Sequence, residues 1–136
     1  MSDIDIAHLT DRFMRRIHAA LNTDADSFDV HNLGPGGGIL LLTLAEIAPA
    51  PMHQLATQMA RDKSQITRTV RSMEDKGLVE RRGDPDDGRS AILQLTPLGQ
   101  DAVLGLQRAV AKALTGILAP LTQAEQDTLR ELLRRL

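Results

Sequence analysis

Apolar residues recur at helical spacing in six stretches of this chain and cluster in two short strand-like runs. Ile6, Leu9, Phe13, Ile17, Ala20 and Leu21 predict a first helix from about Ile4 to Asn22. Thr23 to Gly38 lacks such a period and closes on Gly34-Pro35-Gly36-Gly37-Gly38, so a loop is expected there. The run ILLLTLAEI, Ile39 to Ile47, is too short for a membrane span and fits a buried helix. Pro49 and Pro51 end it and set the start of a short helix, Met52 to Ala60, with Leu55, Ala56 and Met59 on one side. Ile66, Val70 and Met73 share the buried face of the next helix. Leu78–Arg82 and Ala91–Leu95 are rich in strand formers, and Gly83 to Gly88 between them is turn chemistry, which predicts a hairpin. Thr96 as cap and Pro97 at the first helical position open a long helix. It carries Val103, Leu106, Val110, Leu114 and Ile117 on one stripe to about Leu118 before Pro120 breaks it. Thr122 and Glu125 form a capping box for a last helix that carries Leu129, Leu132, Leu133 and Leu136 to the C-terminus.

The centre of this organisation is DKSQITRTVRSMEDKGLVERR, Asp62 to Arg82. Asp62 is a good N-cap, and Gln65 is placed to close a capping box onto it. Gly77 sits where a helix ends in the left-handed conformation. With Ile66, Val70 and Met73 inward, Ser64, Thr67, Arg68, Arg71 and Ser72 point outward. Such side chains have the donors and acceptors that read base edges and hold phosphates, although a solvated amphipathic helix shows the same pattern. Only Ala60, Arg61 and Asp62 separate the two helices, and small Ala56 lies where they approach, which is a helix-turn-helix arrangement. Glycine is frequent in such turns; here the position holds Ala60. A basic hairpin beside a helix-turn-helix makes a winged helix, whose loop can reach a minor groove.

The helix, KGLVERR, the DPxDxR loop from Asp84 to Arg89, the following strand and LTPLGQ, Leu95 to Gln100, together resemble the MarR family of transcriptional regulators. The closest matches run from about Leu55 to Gln100, and the helix order on either side also fits. The resemblance implies a mainly α fold with a small β-hairpin wing. Residues 39–95 would form the winged helix-turn-helix, and residues 1–22 and 97–136 the dimerisation helices of a single domain. It implies a homodimer on a pseudo-palindromic double-stranded operator, with recognition helices in successive major grooves and wings along the minor groove. Arg89 would enter the minor groove, and Asp87 would pair with it and hold it in pose. Ser64, Gln65, Thr67 and Arg68 would face base edges, while Lys63 and Arg71 would mainly hold phosphates. A repressor released by a small-molecule ligand, bound in a cleft between the dimer helices and the winged helix, completes the family pattern.

Composition sets bounds on these readings. At 136 residues there is room for one domain of ordinary size, with a normal apolar fraction of 42%. No window approaches a membrane span and Met1-Ser2-Asp3-Ile4-Asp5 is not a signal peptide, so a cytoplasmic protein is expected. The absence of cysteine excludes disulfides, Cys-based zinc, a thiolate nucleophile and thiol redox sensing. A formal charge of −2 excludes a generally basic coat protein but not a local footprint. Eight of the sixteen Lys and Arg residues lie between Arg61 and Arg89, with seven acids among them, so the patch depends on which side chains face out.

Other chemistry is thinly supplied. The glycine run lacks the Gly-Lys-Ser/Thr of a phosphate loop. His8, His18, His31 and His53 have no helical zinc spacing, though the three in the N-terminal third, His8, His18 and His31, could converge with acids across a dimer. Asp84, Asp86 and Asp87 lack the glutamate that would complete a calcium loop. No nucleophile motif is present, and neither enzymatic activity nor a cofactor is expected. Met14, Met52, Met59 and Met73 are expected as core filler. The alternative function is a winged helix used as a protein-interaction module without specific DNA binding. Salt dependence separates the two, because duplex binding weakens with a slope of about −0.9 per neutralised phosphate. The terminal leucines are costly in water and favour burial against a partner subunit, the alternative being that they fold back on their own chain.

Overall fold

The computed structural model of the chain describes residues 3–23, 29, 31–83 and 91–136. Its elements run in the order α1 (Asp3–Thr23), α2 (Gly34–Ile47), β1 (Ala50–Pro51), α3 (Met52–Met59), α4 (Lys63–Asp75), β2 (Val79–Gly83), β3 (Ala91–Leu95), α5 (Pro97–Ile117) and α6 (Gln123–Arg134). This is the expected mainly helical architecture with a small hairpin wing. The chain divides into two compact units, one of Asp26–Gln107 and one of Met1–Ala25 with Arg108–Leu136.

The central unit is built mainly on leucine, isoleucine and valine from its helices and from β2 and β3, with Ala50 of β1 buried beside them. Leu40, Leu41 and Leu44 of α2, Leu55 of α3, and Ile66, Val70 and Met73 of α4 are buried together with Leu78, Leu93, Val103 and Leu106. No polar or charged side chain is buried with them among the described residues. The helical spacing of Ile66, Val70 and Met73 therefore turns one face of α4 into the core and leaves the other outside.

The glycine run is helix, not the expected loop: α2 starts at Gly34 rather than Ile39. Two features outside the run account for this. The Asp29 carboxylate caps the helix, accepting the Leu33 N–H at 2.8 Å and the Gly34 N–H at 3.0 Å. Close packing also calls for glycine, because a Cβ at Gly37 would lie 3.0 Å from Met73 Cε and 3.1 Å from Leu33 Cβ. A second strand partner was also not anticipated. β1 pairs with β3 (Ala50 opposite Leu93), giving an antiparallel sheet of order β1-β3-β2 in which Leu93 also faces Arg81 of β2. Pro51 is tolerated because β1 is an edge strand.

The turn between α3 and α4 passes through Ala60 in the left-handed region, at φ 52°. α4 ends as Gly77 predicts. Gly77 has φ 76°, its N–H bonds to Glu74 O at 3.0 Å, and the Leu78 N–H bonds to Met73 O at 3.0 Å, which is a Schellman closure. Thr96 then ties this closure to α5. Its hydroxyl donates to Gly77 O at 2.6 Å and accepts the Gly99 N–H at 3.0 Å. One residue thus fixes both where α4 ends and where α5 begins.

In the other unit, the expected capping box is present. Thr122 Oγ1 accepts the Glu125 N–H at 3.1 Å, and Glu125 accepts the Thr122 N–H at 2.9 Å. Gln126 donates to Leu118 O and Leu121 O, both at 3.2 Å, holding the turn before α6. No residue of α1 or α6 is buried. Ile4, Ile6 and Leu9 of α1 and Leu132, Leu133 and Leu136 at the C-terminal end are exposed within the single chain. Met14 is exposed as well, so it does not fill a core here, whereas Met73 is buried and Met52 and Met59 pack on the core.

Candidate nucleic-acid interface

The outward face of α4 is assembled by the anchoring of its inner face. Lys63, Ser64, Gln65, Arg68, Arg71 and Ser72 are all exposed, and Thr67 is half-buried. The expected capping box between Asp62 and Gln65 is absent: Asp62 is the N-cap residue, but its side chain caps no amide. Its carboxylate accepts the Ser64 hydroxyl at 2.5 Å instead, a short-range partner that competes with the amides. The first amides of α4 are thus left without a side-chain acceptor, at the end of the helix where an anion is favoured.

Two of the candidate hydroxyls have their protons engaged. Ser64 donates to Asp62, and Thr67 Oγ1 donates to Lys63 O at 2.8 Å. Both therefore face outward through oxygen lone pairs, as acceptors.

The charges separate in the same way. Arg81 pairs with Glu74 at 2.7 Å and Arg82 lies 3.6 Å from Glu80, so the wing strand's cations are matched by acids. Glu80 also accepts from Gln94 across the hairpin. Among the described residues, Arg61, Lys63, Arg68 and Arg71 have no acidic partner within ion-pair distance. Among the described residues of this unit, the cations without an acid beside them therefore lie on α4 and at its two ends, with Lys76 bonded to Asn32 O. Asp87 and Arg89 lie outside the described residues.

Two residues of this surface were not singled out from the sequence. Arg61 and Lys76 border, with Gln65, Arg68, Leu33 and Met73, a cleft of about 560 Å³ between the first turn of α2 and the flank of α4. The signal was available: Arg61, Gln65, Arg68, Ser72 and Lys76 follow helical spacing and form one polar stripe. Among the described residues no cluster of His, Asp or Glu is arranged to hold a metal, and no helix is long and apolar enough to cross a membrane.

Comparison with known proteins is consistent across sequence and structure. The model of the MarR family matches residues 39–91. A Thauera aromatica protein named for transcriptional regulation of the hcr operon is 35% identical over 102 residues, 75% of this chain. The match covers 61% of that protein's length. The HTH-type transcriptional regulator YxaD of Bacillus subtilis is 30% identical over 91% of this chain and 85% of its own. A crystal structure named as a transcriptional regulator from Pseudomonas aeruginosa superposes with a TM-score of 0.78 at 32% identity, covering 98% of this chain and 97% of the other. A mutant MarR from E. coli complexed with operator DNA superposes with a TM-score of 0.80, covering 97% and 93%; at 22% identity this is a likeness of fold.

Proposed function

This chain belongs to the MarR family of transcriptional regulators, and we propose that it works as a homodimeric repressor that reads a pseudo-palindromic operator through α4 and is released by a small-molecule effector. One observation carries the DNA-reading part: the acid-free cations Lys63, Arg68 and Arg71 stand beside Gln65 and Ser64 on a helix whose opposite face is locked in the core. A rigid helix with that surface suits a major groove, where bidentate Arg and Gln contacts discriminate bases.

In this reading Gln65 and Arg68 supply donors to base edges, while Ser64 and Thr67 accept. Lys63 and Arg71 neutralise phosphates. Arg89 enters the minor groove from the wing, with Asp87 as its restraint. The exposed leucines of the C-terminal end and the apolar residues of α1 support a second copy as their cover. The two recognition helices of such a dimer would need to stand about 34 Å apart to enter successive major grooves. An effector that prefers another state shifts the population away from DNA by no more than its differential affinity. No enzymatic activity belongs to this reading.

The test is a fluorescence-anisotropy titration against duplex DNA from upstream of the chain's own gene, at several salt concentrations. Tight binding with a steep salt slope is expected. Arg89→Ala should weaken binding to every duplex alike, and Arg68→Ala should relax preference at one position by roughly 1–3 kcal/mol. Unchanged affinity in both variants, or a shallow slope on all duplexes, would move the assignment to a protein-interaction module.

A further inference from the structure

We propose that Asp62 sets the base preference of the first turn of α4. By holding the Ser64 hydroxyl proton it leaves the pair acceptor-only. Such a pair in a major groove selects adenine or cytosine over guanine or thymine at one position of each half-site. The inference rests on the reading of α4 as the DNA-binding helix and names the class of base that its first turn takes.

The arrangement starts from a cap that is not made. Asp62 stands at the N-cap of α4, where a carboxylate ordinarily accepts from the amides of the first turn. Here the side chain caps no amide, and one of its oxygens takes the Ser64 hydroxyl at 2.5 Å. A hydroxyl bonded to a carboxylate at that length is charge-assisted, roughly twice as strong as a neutral pair. It fixes the direction of the only proton the Ser64 side chain could offer a ligand. Both residues are exposed, and among the described residues no cation lies within ion-pair distance of Asp62. What the pair presents outward is therefore lone pairs, those of Ser64 Oγ and of the second Asp62 oxygen.

Thr67 reaches the same polarity by another route. Its hydroxyl donates to Lys63 O at 2.8 Å, so its own helix sets its direction. At Ser64 the direction is set by a neighbouring side chain, and a single substitution can release it. That difference makes Asp62 the residue that decides.

Duplex DNA offers such a pair few partners. Phosphate oxygens are acceptors with negative charge and repel a carboxylate. In the major groove guanine N7 and O6 and thymine O4 are acceptors as well, and the donors are the amines at adenine N6 and cytosine N4. A helix of this kind places its N-terminal residues over base edges, which is where Asp62 and Ser64 stand. An amine opposite them completes a hydrogen bond. A keto oxygen opposite them sets lone pairs against lone pairs and leaves both unsatisfied once water is expelled. Every base pair carries one such amine in the major groove, so the pair reports which strand holds it.

The test uses the full chain and an operator obtained by selection from randomised duplex. Each adenine of a half-site is replaced in turn by purine, and each cytosine by 2-pyrimidinone, which delete the amine and little else. Anisotropy should show a loss of about tenfold at one position of each half-site. Asp62→Ala frees the Ser64 proton, so guanine and thymine at that position should gain about tenfold relative to adenine and cytosine. Its melting temperature should be kept, because no cap is lost. In the double variant Asp62→Ala, Ser64→Ala, amine removal there should be without effect. Amine removal that is tolerated at every position, or an Asp62→Ala chain that weakens on all duplexes alike with its melting temperature lowered, would overturn the proposal. The latter would make Asp62 a structural cap. A selected operator whose preference falls in Arg68→Ala but is unmoved in Asp62→Ala defeats this inference alone. A selection that yields no preferred sequence defeats the DNA reading of α4 and this inference with it.

Discussion

The Arg81 guanidinium donates to the Glu74 carboxylate at 2.7 Å, joining the last turn of α4 to the first strand of the wing. The pair is partly exposed, so it stabilises the fold by only about 0.2–1 kcal/mol. Its larger consequence is electrostatic. While Glu74 holds Arg81, that cation is matched within the protein and contributes little to a phosphate.

Glu74→Gln should therefore free Arg81. The expected outcome is a small loss of stability together with tighter, less selective binding to duplex DNA. The salt slope should steepen by about 0.9 as one more phosphate is neutralised. Anisotropy titrations of both proteins on specific and random duplex, at several salt concentrations, check this. An unchanged slope would mean that Arg81 stays out of reach of the backbone.

Gly99 is fixed by its neighbour. A Cβ there would stand 2.0 Å from the backbone oxygen of Leu78, which already accepts the Thr96 N–H at 3.1 Å. Backbone cannot step aside as a flexible side chain can, so Gly99→Ala must push α5 away from the end of α4. A loss of about 1–3 kcal/mol or more is expected in denaturant unfolding. Gly105→Ala is the matched control, because nothing lies within 4 Å of a Cβ there.

These positions show what spacing along a chain can and cannot convey. Ile66, Val70 and Met73, and Thr122 with Glu125, act within one helix, and their periods or cap offsets predicted what the structure contains. Gly34 to Gly38 looked like a loop because glycine is a poor helix former on its own. They are helical because of Asp29, Met73 and the rest of α2, partners that no local pattern displays. The two residues of β1 are likewise too few to carry a period, and become a strand only by pairing with β3. At the candidate interface, the outward direction of Ser64, Arg68, Arg71 and Ser72 was legible. Which cations had acids beside them was not, because Glu74 and Arg81 meet only after the chain has turned at Gly77.

Ala60 holds a conformation that costs an L-residue about 1–2 kcal/mol, at φ 52° in the turn between α3 and α4. Ala60→Gly relieves that cost but adds freedom to the unfolded chain, about 0.4–1 kcal/mol in the other direction. The expected net change is therefore from zero to a gain of about 1.6 kcal/mol. Ala60→Val should lose stability, since a β-branched side chain fits the left-handed region worse than alanine. The ordering Gly at least as stable as Ala, and both above Val, in urea unfolding tests the turn geometry independently of DNA.

Leu132, Leu133 and Leu136 are 49%, 55% and 102% exposed in the single chain, at the end of a helix closed by its own capping box. Leu132 and Leu133 lie on one exposed apolar face of this capped helix, the face that the proposed dimer would cover. A two-fold dimer buries the same patch from both copies, so each substitution acts twice. At about 1.5–3 kcal/mol per leucine buried, Leu133→Glu should cost the dimer on the order of 3–6 kcal/mol, enough to dissociate a micromolar assembly. Sedimentation should show the parent chain as a dimer and the variant as a monomer. Operator affinity should fall steeply in the variant, because one recognition helix cannot bind two half-sites. Binding to random duplex should persist, since the cations of α4 are untouched. A variant that stays dimeric would place the contact elsewhere, with Ile4, Ile6 and Leu9 of α1 as the next residues to change.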